Sequence, residues 1–295
     1  IMAEINWKRK DGAEPMETVE RAGVPYLRFP ALEETGLVIH GFSTRLGGVS
    51  RGCYSSMNLS FTRGDDREAV EENYRRMAAA LGVETESLTL TWQTHTVNVR
   101  KVTWEDRGKG VSRERDYRDV DGLVTDVPGI TLVTFFADCV PLYFLDPVRK
   151  AIGLSHSGWR GTAARMGQKT LEKMREEFGT DPRDVIACVG PSICGDCYEV
   201  GEEVAAGFTA EFGPRSEGEI LRPGGRPGKV PAGLWEANEA VLLEAGIAPD
   251  HLHVTDICTC CNPDYLYSHR KMGEKRGNLC AFLALKFPFF GQKYL

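Results

Sequence analysis

The sequence is poor in histidine. Six are present in 295 residues: His40, His95, His156, His251, His253 and His269. Imidazole chemistry is therefore confined to a few positions. Long apolar runs are also missing. The longest, 130–145, is interrupted by Asp138 and Pro141 and falls short of the ~20 residues a membrane-spanning helix needs, so no membrane partner is expected. The first twelve residues are polar and mixed in charge, without the apolar core of a secretory leader, and the expected compartment is the cytoplasm. Positive charge is not in excess. With 36 Lys and Arg against 42 Asp and Glu, the net charge is −6, the opposite of a nucleic-acid-binding face, although a few local arginines can still hold a small anion. No internal repeat or low-complexity block occurs, which excludes solenoids. The cysteines do not come in an even set. Nine of them, with no leader, argue against a disulfide scaffold and for reduced thiols that can bind metal or act as nucleophiles.

What is present fits a globular chain with a real core: 42% hydrophobic and 26% charged residues. Residues 1–35 read as an N-terminal lead-in and 36–295 as a single catalytic domain. Val38 to Thr44 reads as a strand. Asp65 to Leu81 reads as a helix, with an Asp cap, Val70, Tyr74, Met77 and Leu81 at helical spacing, and Gly82 as the stop. Leu88 to Val102 alternates as strands do, with Gln93, His95, Val97 and Val99 on one face. Trp104 to Val120 is charged and reads as a mobile loop. Strands are expected over 130–136, 140–145, 151–156, 185–189, 251–257 and 278–285, and helices over 160–178, 202–212 and 234–244. The Gly- and Pro-rich 215–231 is a loop. This mixture predicts an α/β (α+β) fold of layered, mixed sheets.

One spacing carries chemistry. Asp146–Lys150 reads as a hairpin turn between two apolar runs. If Leu145 pairs with Lys150, then Cys139 faces His156 across the hairpin, with Cβ atoms about 4.5–5.5 Å apart. A thiolate and an imidazole at that distance suit Zn²⁺, with Zn–S near ~2.3 Å and Zn–N near ~2.0 Å. A one-residue slip would separate them onto opposite faces. His95 supplies a third ligand from another strand. Three protein ligands leave an open position, as in catalytic rather than structural zinc sites, for a water acidified by the metal.

Several ordered motifs carry a resemblance: 40–50 (His-Gly-Phe-Ser-Thr-Arg-Leu-Gly-Gly-Val-Ser), Gln93-Thr-His95, Ala137-Asp-Cys139-Val-Pro141, His156-Ser-Gly-Trp-Arg160-Gly161, Gly190-Pro-Ser-Ile193 with Cys197-Tyr-Glu-Val200, and Asp256-Ile-Cys258-Thr. Over about 38–285 they resemble the YfiH-like family, whose members are also called polyphenol-oxidase laccase-like proteins. The resemblance implies one layered α/β domain of the CNF1/YfiH-like type and Zn²⁺ on His95, Cys139 and His156. It also implies phosphorolysis of adenosine, inosine, guanosine and methylthioadenosine, and hydrolytic deamination of adenosine. Copper-dependent laccase activity and editing of peptidoglycan precursors are further ascribed to the family. The expected partners are a purine nucleoside and phosphate, and the expected assembly is a monomer or weak homodimer.

Those reactions set tasks for particular residues. Deamination needs a metal-activated water and a proton carrier. Asp138 is one candidate carrier, with the alternative that it orients His95 or His156 from behind. The H-x-E and P-C-x-x-C signature of other zinc deaminases is absent, so any deamination uses a different acid–base group. Phosphorolysis needs a phosphate dianion held at the sugar. Arg45, before the Gly47–Gly48 turn, and Arg160, at a helix start, are the candidates, against a structural ion pair and a solvated helix end respectively. Asn58 and Gln93 are assigned to base or ribose, with Ser43 and Thr44 as weaker choices. Trp159 stacks on a purine or is a core aromatic. Tyr267, Arg270 and Arg276 line the pocket or cap a surface loop.

Two features point elsewhere. Two His and one Cys also resemble a blue-copper centre, but four further histidines are too few for the additional copper cluster of a laccase. Cys139 beside His156 is also the pairing of a cysteine hydrolase, and a closed four-ligand site would mean a zinc-stabilised binding protein. Cys194-x-x-Cys197 and Cys258-x-Cys260-Cys261 suggest a second zinc site, but the latter group is irregular for a zinc ribbon, and buried thiols are the expectation.

Overall fold

Two six-stranded mixed sheets pack face to face, and helices cover their outer surfaces. The structure is a computed structural model that describes residues 5–10, 12 and 15–287. In chain order the strands are β1 (Glu17–Arg21), β2 (Val24–Arg28), β3 (Val38–Ser43), β4 (Leu88–Leu90), β5 (Val99–Lys101), β6 (Gly122–Thr125) and β7 (Thr131–Phe136). They continue as β8 (Val140–Asp146), β9 (Ala151–Ser157), β10 (Ile186–Val189), the two-residue β11 (Glu199–Val200) and β12 (Val230–Pro231), β13 (Leu252–Val254) and β14 (Leu279–Leu285). The helices are α1 (Pro30–Glu33), α2 (Arg67–Leu81), α3 (Trp159–Ala163), α4 (Met166–Phe178), α5 (Glu202–Phe212), α6 (Leu234–Glu244) and α7 (His269–Met272). The first sheet runs β1-β2-β3-β14-β7-β4 and the second β13-β10-β8-β9-β6-β5.

The layering follows from strands that are apolar on both faces. In β8, Tyr143 and Leu145 point into the core between the sheets, whereas Val140, Leu142 and Phe144 point outward under α4 and α6. In β14, Leu279, Ala281, Leu283 and Leu285 take the inter-sheet side, and Cys280 and Phe282 meet α2 on the other. A period-2 side-chain alternation with no polar face makes a strand covered on both sides. The α2 cap is as expected: the Asp66 carboxylate accepts from Glu68 N, and Gly82 ends the helix at φ 74°.

Four sequence-based expectations are corrected. Residues 91–98 are a loop, not strand, because the chain crosses there from β4 in the first sheet to β5 in the second. The hairpin turn is where expected, but Pro141 rather than Cys139 pairs with His156. The shift is two residues along the partner strand, so Cys139 stays on the same face as Pro141 and remains diagonal to His156. The helix expected over 160–178 is broken at Arg165 (φ 63°), whose guanidinium is held by Glu211 at 2.8 Å and Glu244 at 2.6 Å. Residues 104–120 are irregular but anchored: Lys109 Nζ pairs with Asp106 at 2.7 Å, and Tyr117 donates to the Leu90 carbonyl at 2.6 Å. The lead-in is also part of the fold, since β1 and β2 form the edge of the first sheet.

His40 on β3 gives the fold a titratable weak point. It is buried, and its Nε2 accepts from Phe29 N at 2.8 Å, which fixes it as neutral. Burial, reinforced by the nearby Arg28 charge, pushes its pKa from 6.5 down to about 3. Its contribution to stability is therefore complete above pH 6.5 and is lost as the pH falls toward 3, because the unfolded chain takes up the proton first. At ~1.4 kcal/mol per pH unit, the full effect is on the order of 5 kcal/mol. His40→Gln, which keeps an acceptor, is expected to move the acid-unfolding midpoint of chelator-treated protein to lower pH, followed by circular dichroism. An unchanged midpoint would remove His40 as the cause.

Candidate metal centre

Cys139 sits immediately before β8, His156 near the end of β9, and His95 in the loop that crosses between the sheets. One ligand atom from each lies within 4.8 Å of the other two. The imidazole rings of His95 and His156 meet edge-on, with centroids 5.0 Å apart at 83°. His156 is buried, Cys139 half-buried and His95 exposed, so the cluster grades from the core toward solvent. Gly158 makes the approach possible. A Cβ there would lie 3.0 Å from His95 Cδ2 and 3.1 Å from Cys139 Sγ, tighter than side chains normally tolerate.

The organising residue is Asp121, which sequence reasoning missed. It is fully buried immediately before β6. Oδ2 accepts from Thr94 N, Thr96 N and Thr96 Oγ1, each at 3.0 Å, and Oδ1 accepts from His95 N at 3.1 Å. Oδ1 also lies 2.8 Å from His156 Nδ1. One carboxylate thus shapes the turn that presents His95 (φ 64°) and holds the ring of His156 with Nε2 left as the ligand atom. Burial pushes the Asp121 carboxyl up, but the His156 contact and the amide donors outweigh it and hold the pKa below the usual value. The signal available in the sequence was an acid next to the apolar run 122–124, where a strand otherwise has no reason to carry charge.

The electrostatics suit a soft cation. Burial raises the Cys139 thiol, but His156, and then the hydrogen bonds from both imidazoles, bring it down to about 6. Burial lowers His156, and the facing thiolate and Asp121 raise it to about 9. The metal-free pair is thus a thiolate–imidazolium pair that gives up a proton when a metal binds. The donor set, one thiolate and two imidazoles with an aspartate behind one of them, fits Zn²⁺ or copper.

The centre opens into a cleft of about 330 Å³, within the size range of small-molecule sites. Aromatic residues Phe61, Trp92, Phe135 and Phe136 form much of its wall. Arg63, Arg115 and Arg276 bring positive charge. Arg276 is 6% exposed and donates to Gly277 O at 3.0 Å and to the Asn278 side chain, while its Nε has no hydrogen-bond partner among the described residues. Burial, then the neighbouring Arg63 charge, depresses its pKa to about 10, so an anion in the cleft would relieve it. A larger cleft of about 820 Å³, bordered by Trp104, Arg107 and Phe287, holds none of the three ligands.

Most other sequence-predicted site residues lie outside this cleft. The Arg45 guanidinium is spent on backbone carbonyls, Ser55 O at 2.9 Å and Pro263 O at 2.8 Å, over the Tyr267 ring. Arg160 is exposed over Trp159, and α3 places Trp159 against Gly207 of α5, a packing role. Ser43 is buried in the sheet and accepts from Cys280 N; Thr44 donates to Pro25 O. Asn58 is a buried clip, accepting from Ser60 N and Asn278 N. Gln93 does line the cleft, but its amide is tied to Phe135 N and O at 2.6 and 2.9 Å. Asp138 orients neither histidine. Its carboxylate accepts from Thr259 Oγ1 and from Arg270 N, both at 2.6 Å. Of the late polar segment, Arg276 lines the cleft, whereas Tyr267 is buried and Arg270 donates to Cys197 O.

Fold and site together define a layered α/β enzyme with a histidine–cysteine centre at the mouth of a cationic, aromatic cleft. A model of the family described as multi-copper polyphenol oxidoreductase laccase matches residues 39–286. The chain belongs to this YfiH/laccase-like family. It is 34% identical over 253 residues to the purine nucleoside phosphorylase YlmD of Bacillus subtilis, covering 84% of this chain and 89% of that protein. It is also 34% identical over 241 residues to the adenosine deaminase RL5 of an unknown prokaryotic organism, covering 81% and 91%. The crystal structure of YlmD from Geobacillus stearothermophilus superposes with a TM-score of 0.84 at 33% identity, over 92% of this chain and 100% of that one. Among the described residues, no helix is long and apolar enough to cross a membrane.

Proposed function

We propose that the chain is a zinc-dependent purine nucleoside enzyme that cleaves adenosine, inosine, guanosine and methylthioadenosine with phosphate and deaminates adenosine to inosine. The observation that carries this reading is a three-ligand cluster opening directly into a cleft with aromatic walls and buried arginine charge. Relatives named purine nucleoside phosphorylase and adenosine deaminase support the same pair of reactions.

His95, Cys139 and His156 Nε2 would hold the ion. When bound, zinc supplies a Lewis acid and an acidified water beside the cleft. In phosphorolysis an oxygen of phosphate forms a bond to C1′ as the N-glycosidic bond breaks and the base departs with its bonding pair. Arg276, with an unused Nε–H, holds the dianion in position, and Arg63, itself ion-paired with exposed Glu274 at 3.1 Å, adds positive charge beside it. Arg45 and Arg160, the sequence-based candidates for this task, do not line the cleft. The aromatic walls take the purine face. A copper oxidase finds less support: His40 is locked inside the fold, His251 and His253 lie on or just before β13, and His269 faces Glu274, so the remaining histidines do not gather into a second copper site.

The test incubates metal-assayed protein with adenosine, with and without phosphate. Adenine and ribose-1-phosphate, appearing only with phosphate, establish phosphorolysis; inosine establishes deamination. Arg276→Gln is expected to raise the phosphate KM about tenfold or more, for ~1.5–3 kcal/mol of charged hydrogen bonding, with inosine formation little changed. No product from any of the four nucleosides, in protein carrying zinc, would refute the reading.

A further inference from the structure

Outside the cleft, four cysteines from two loops converge. Cys194, Cys197, Cys258 and Cys261 place their Sγ atoms within 4.8 Å of one another, and Cys197 and Cys261 are 3.5 Å apart. We propose that these four thiolates bind a second, structural Zn²⁺, distinct from the ion of the histidine–cysteine centre.

The spacing is regular once the structure has sorted the cysteines. Cys260, which made the second group look irregular, is not one of the four convergent thiols; it contacts Ser268 and, from the edge of the cluster, Cys197. What remains is Cys194-x-x-Cys197 and Cys258-x-x-Cys261, two matching pairs of the kind that close Cys₄ zinc sites. A tetrahedron with Zn–S near ~2.3 Å has sulfur–sulfur edges of roughly 3.8 Å. The 3.5 Å between Cys197 and Cys261 and the 4.8 Å limit on the remaining separations lie close to that value, so small side-chain adjustments would seat the ion.

Donors already point at the sulfurs. Cys194 N donates to Cys258 Sγ at 3.2 Å. The amides of Cys197 and Cys261 bear on the thiols of Cys194 and Cys258, three residues earlier in each pair. Backbone N–H groups directed at sulfur favour the thiolate over the thiol, although contact with Cys194, and then burial, pushes the Cys258 thiol up in the metal-free cluster. Lys10, ion-paired with Asp196 at 3.0 Å, adds a cation beside Cys194 and Cys261, as a site of four thiolates around one dication requires. Four thiolates, two buried and two half-buried, would fill a tetrahedral shell and leave no position for substrate, unlike the three-ligand centre.

The location explains what such an ion would hold. The two loops lack regular secondary structure apart from the Ser192–Cys258 and Arg9–Ile257 bridges. Both grip Asp138, the residue before Cys139: Ile193 N donates to its carbonyl at 3.0 Å and Thr259 Oγ1 to its carboxylate at 2.6 Å. Asn262, which follows Cys261, accepts from Lys8 N at 2.8 Å and so ties the N-terminal segment to the same knot. Asp138 is strained at φ 90°, a conformation that needs such restraint. The tetrathiolate site is thus a clasp one residue away from the thiolate of the cleft.

The test uses the full chain purified under reducing conditions. Wild-type protein is expected to carry two zinc ions by elemental mass spectrometry. A variant combining His95→Ala, Cys139→Ala and His156→Ala is expected to keep one, with four sulfur neighbours near 2.3 Å in zinc K-edge absorption. Cys197→Ser with Cys261→Ser should lose one ion and lower the melting temperature while the three-ligand ion stays. The triple variant is the deciding sample, because it leaves the clasp intact even if the double-serine variant fails to fold. A folded triple variant without metal, one that holds iron, or recovery of the four thiols as two disulfides under reducing conditions would each overturn the assignment. Retention of zinc in the triple variant together with an inactive wild type would refute the nucleoside reading alone.

Discussion

Cys139→Ala is expected to lose the ion of the cleft and nucleoside turnover together, by roughly a thousandfold or more in rate. A bound Lewis acid is worth several kcal/mol of transition-state stabilisation, and each 1.36 kcal/mol is a factor of ten. The expectation rests on the donor set. With the thiolate removed, two imidazoles remain, one of them exposed, and two neutral ligands hold zinc poorly. The fold should survive, since Cys139 is only half-buried at the end of the inter-sheet core and Ala137 and Phe136 stay in place. The same variant discriminates against a cysteine nucleophile, which the thiolate–imidazolium pair would otherwise suit. Cys139→Asp settles the matter: it keeps an anionic zinc ligand but cannot form a thioester. Metal bound and turnover partly restored in Cys139→Asp would support the ion. Full turnover in Cys139→Ala, or alkylation of Cys139 that inactivates metal-free but still active wild type, would sink it.

The sequence made the layers legible because strands such as β8 and β14 are apolar along their whole length and helices such as α2 carry a cap, a stripe and a stop. That Cys139 and His156 share a face was legible, although their direct pairing was not: an error of two residues in register preserves the face, whereas an error of one would not. What stayed hidden depends on contacts distant in sequence. Alternation over 88–102 suggested strand, but the amides of Thr94 to Thr96 are taken by Asp121, some 25 residues on, so no ladder can form there. Arginines were judged by their local setting, which favoured Arg45 beside glycines. Arg276 is brought to the cleft only by the fold, through its position just before β14. Cys260 blurred the second Cys-x-x-Cys until the chain showed which thiols face inward.

Asp121→Asn tests the residue that sequence reasoning missed, and its expected effect is nearly as large. The change is isosteric, yet every contact of the carboxylate is as an acceptor: two backbone amides and one hydroxyl on Oδ2, one amide and the His156 ring on Oδ1. An asparagine must turn its NH₂ toward one of these sets. Facing Oδ2's partners it opposes two amides that cannot rotate, so the lower-energy choice turns it toward His156. There the NH₂ donates to Nδ1, and the imidazole must carry its proton on Nε2, the atom needed for the metal. Zinc affinity is expected to fall about 10–100-fold, as for other groups that support a metal-bound histidine. The stranded His95 N–H adds on the order of 1–3 kcal/mol of lost stability. Competition with a chromophoric chelator measures the first effect and thermal unfolding of the metal-free protein the second. Excess zinc should restore much of the turnover, which a collapsed fold would not allow. Asp119→Asn is the control: among the described residues its carboxylate is hydrogen-bonded only by the hydroxyl of exposed Thr94, at 2.8 Å, and affinity should change less than about twofold, as surface substitutions do. Equal zinc affinity in Asp121→Asn and wild type would mean that the carboxylate shapes the loop without governing the ligand.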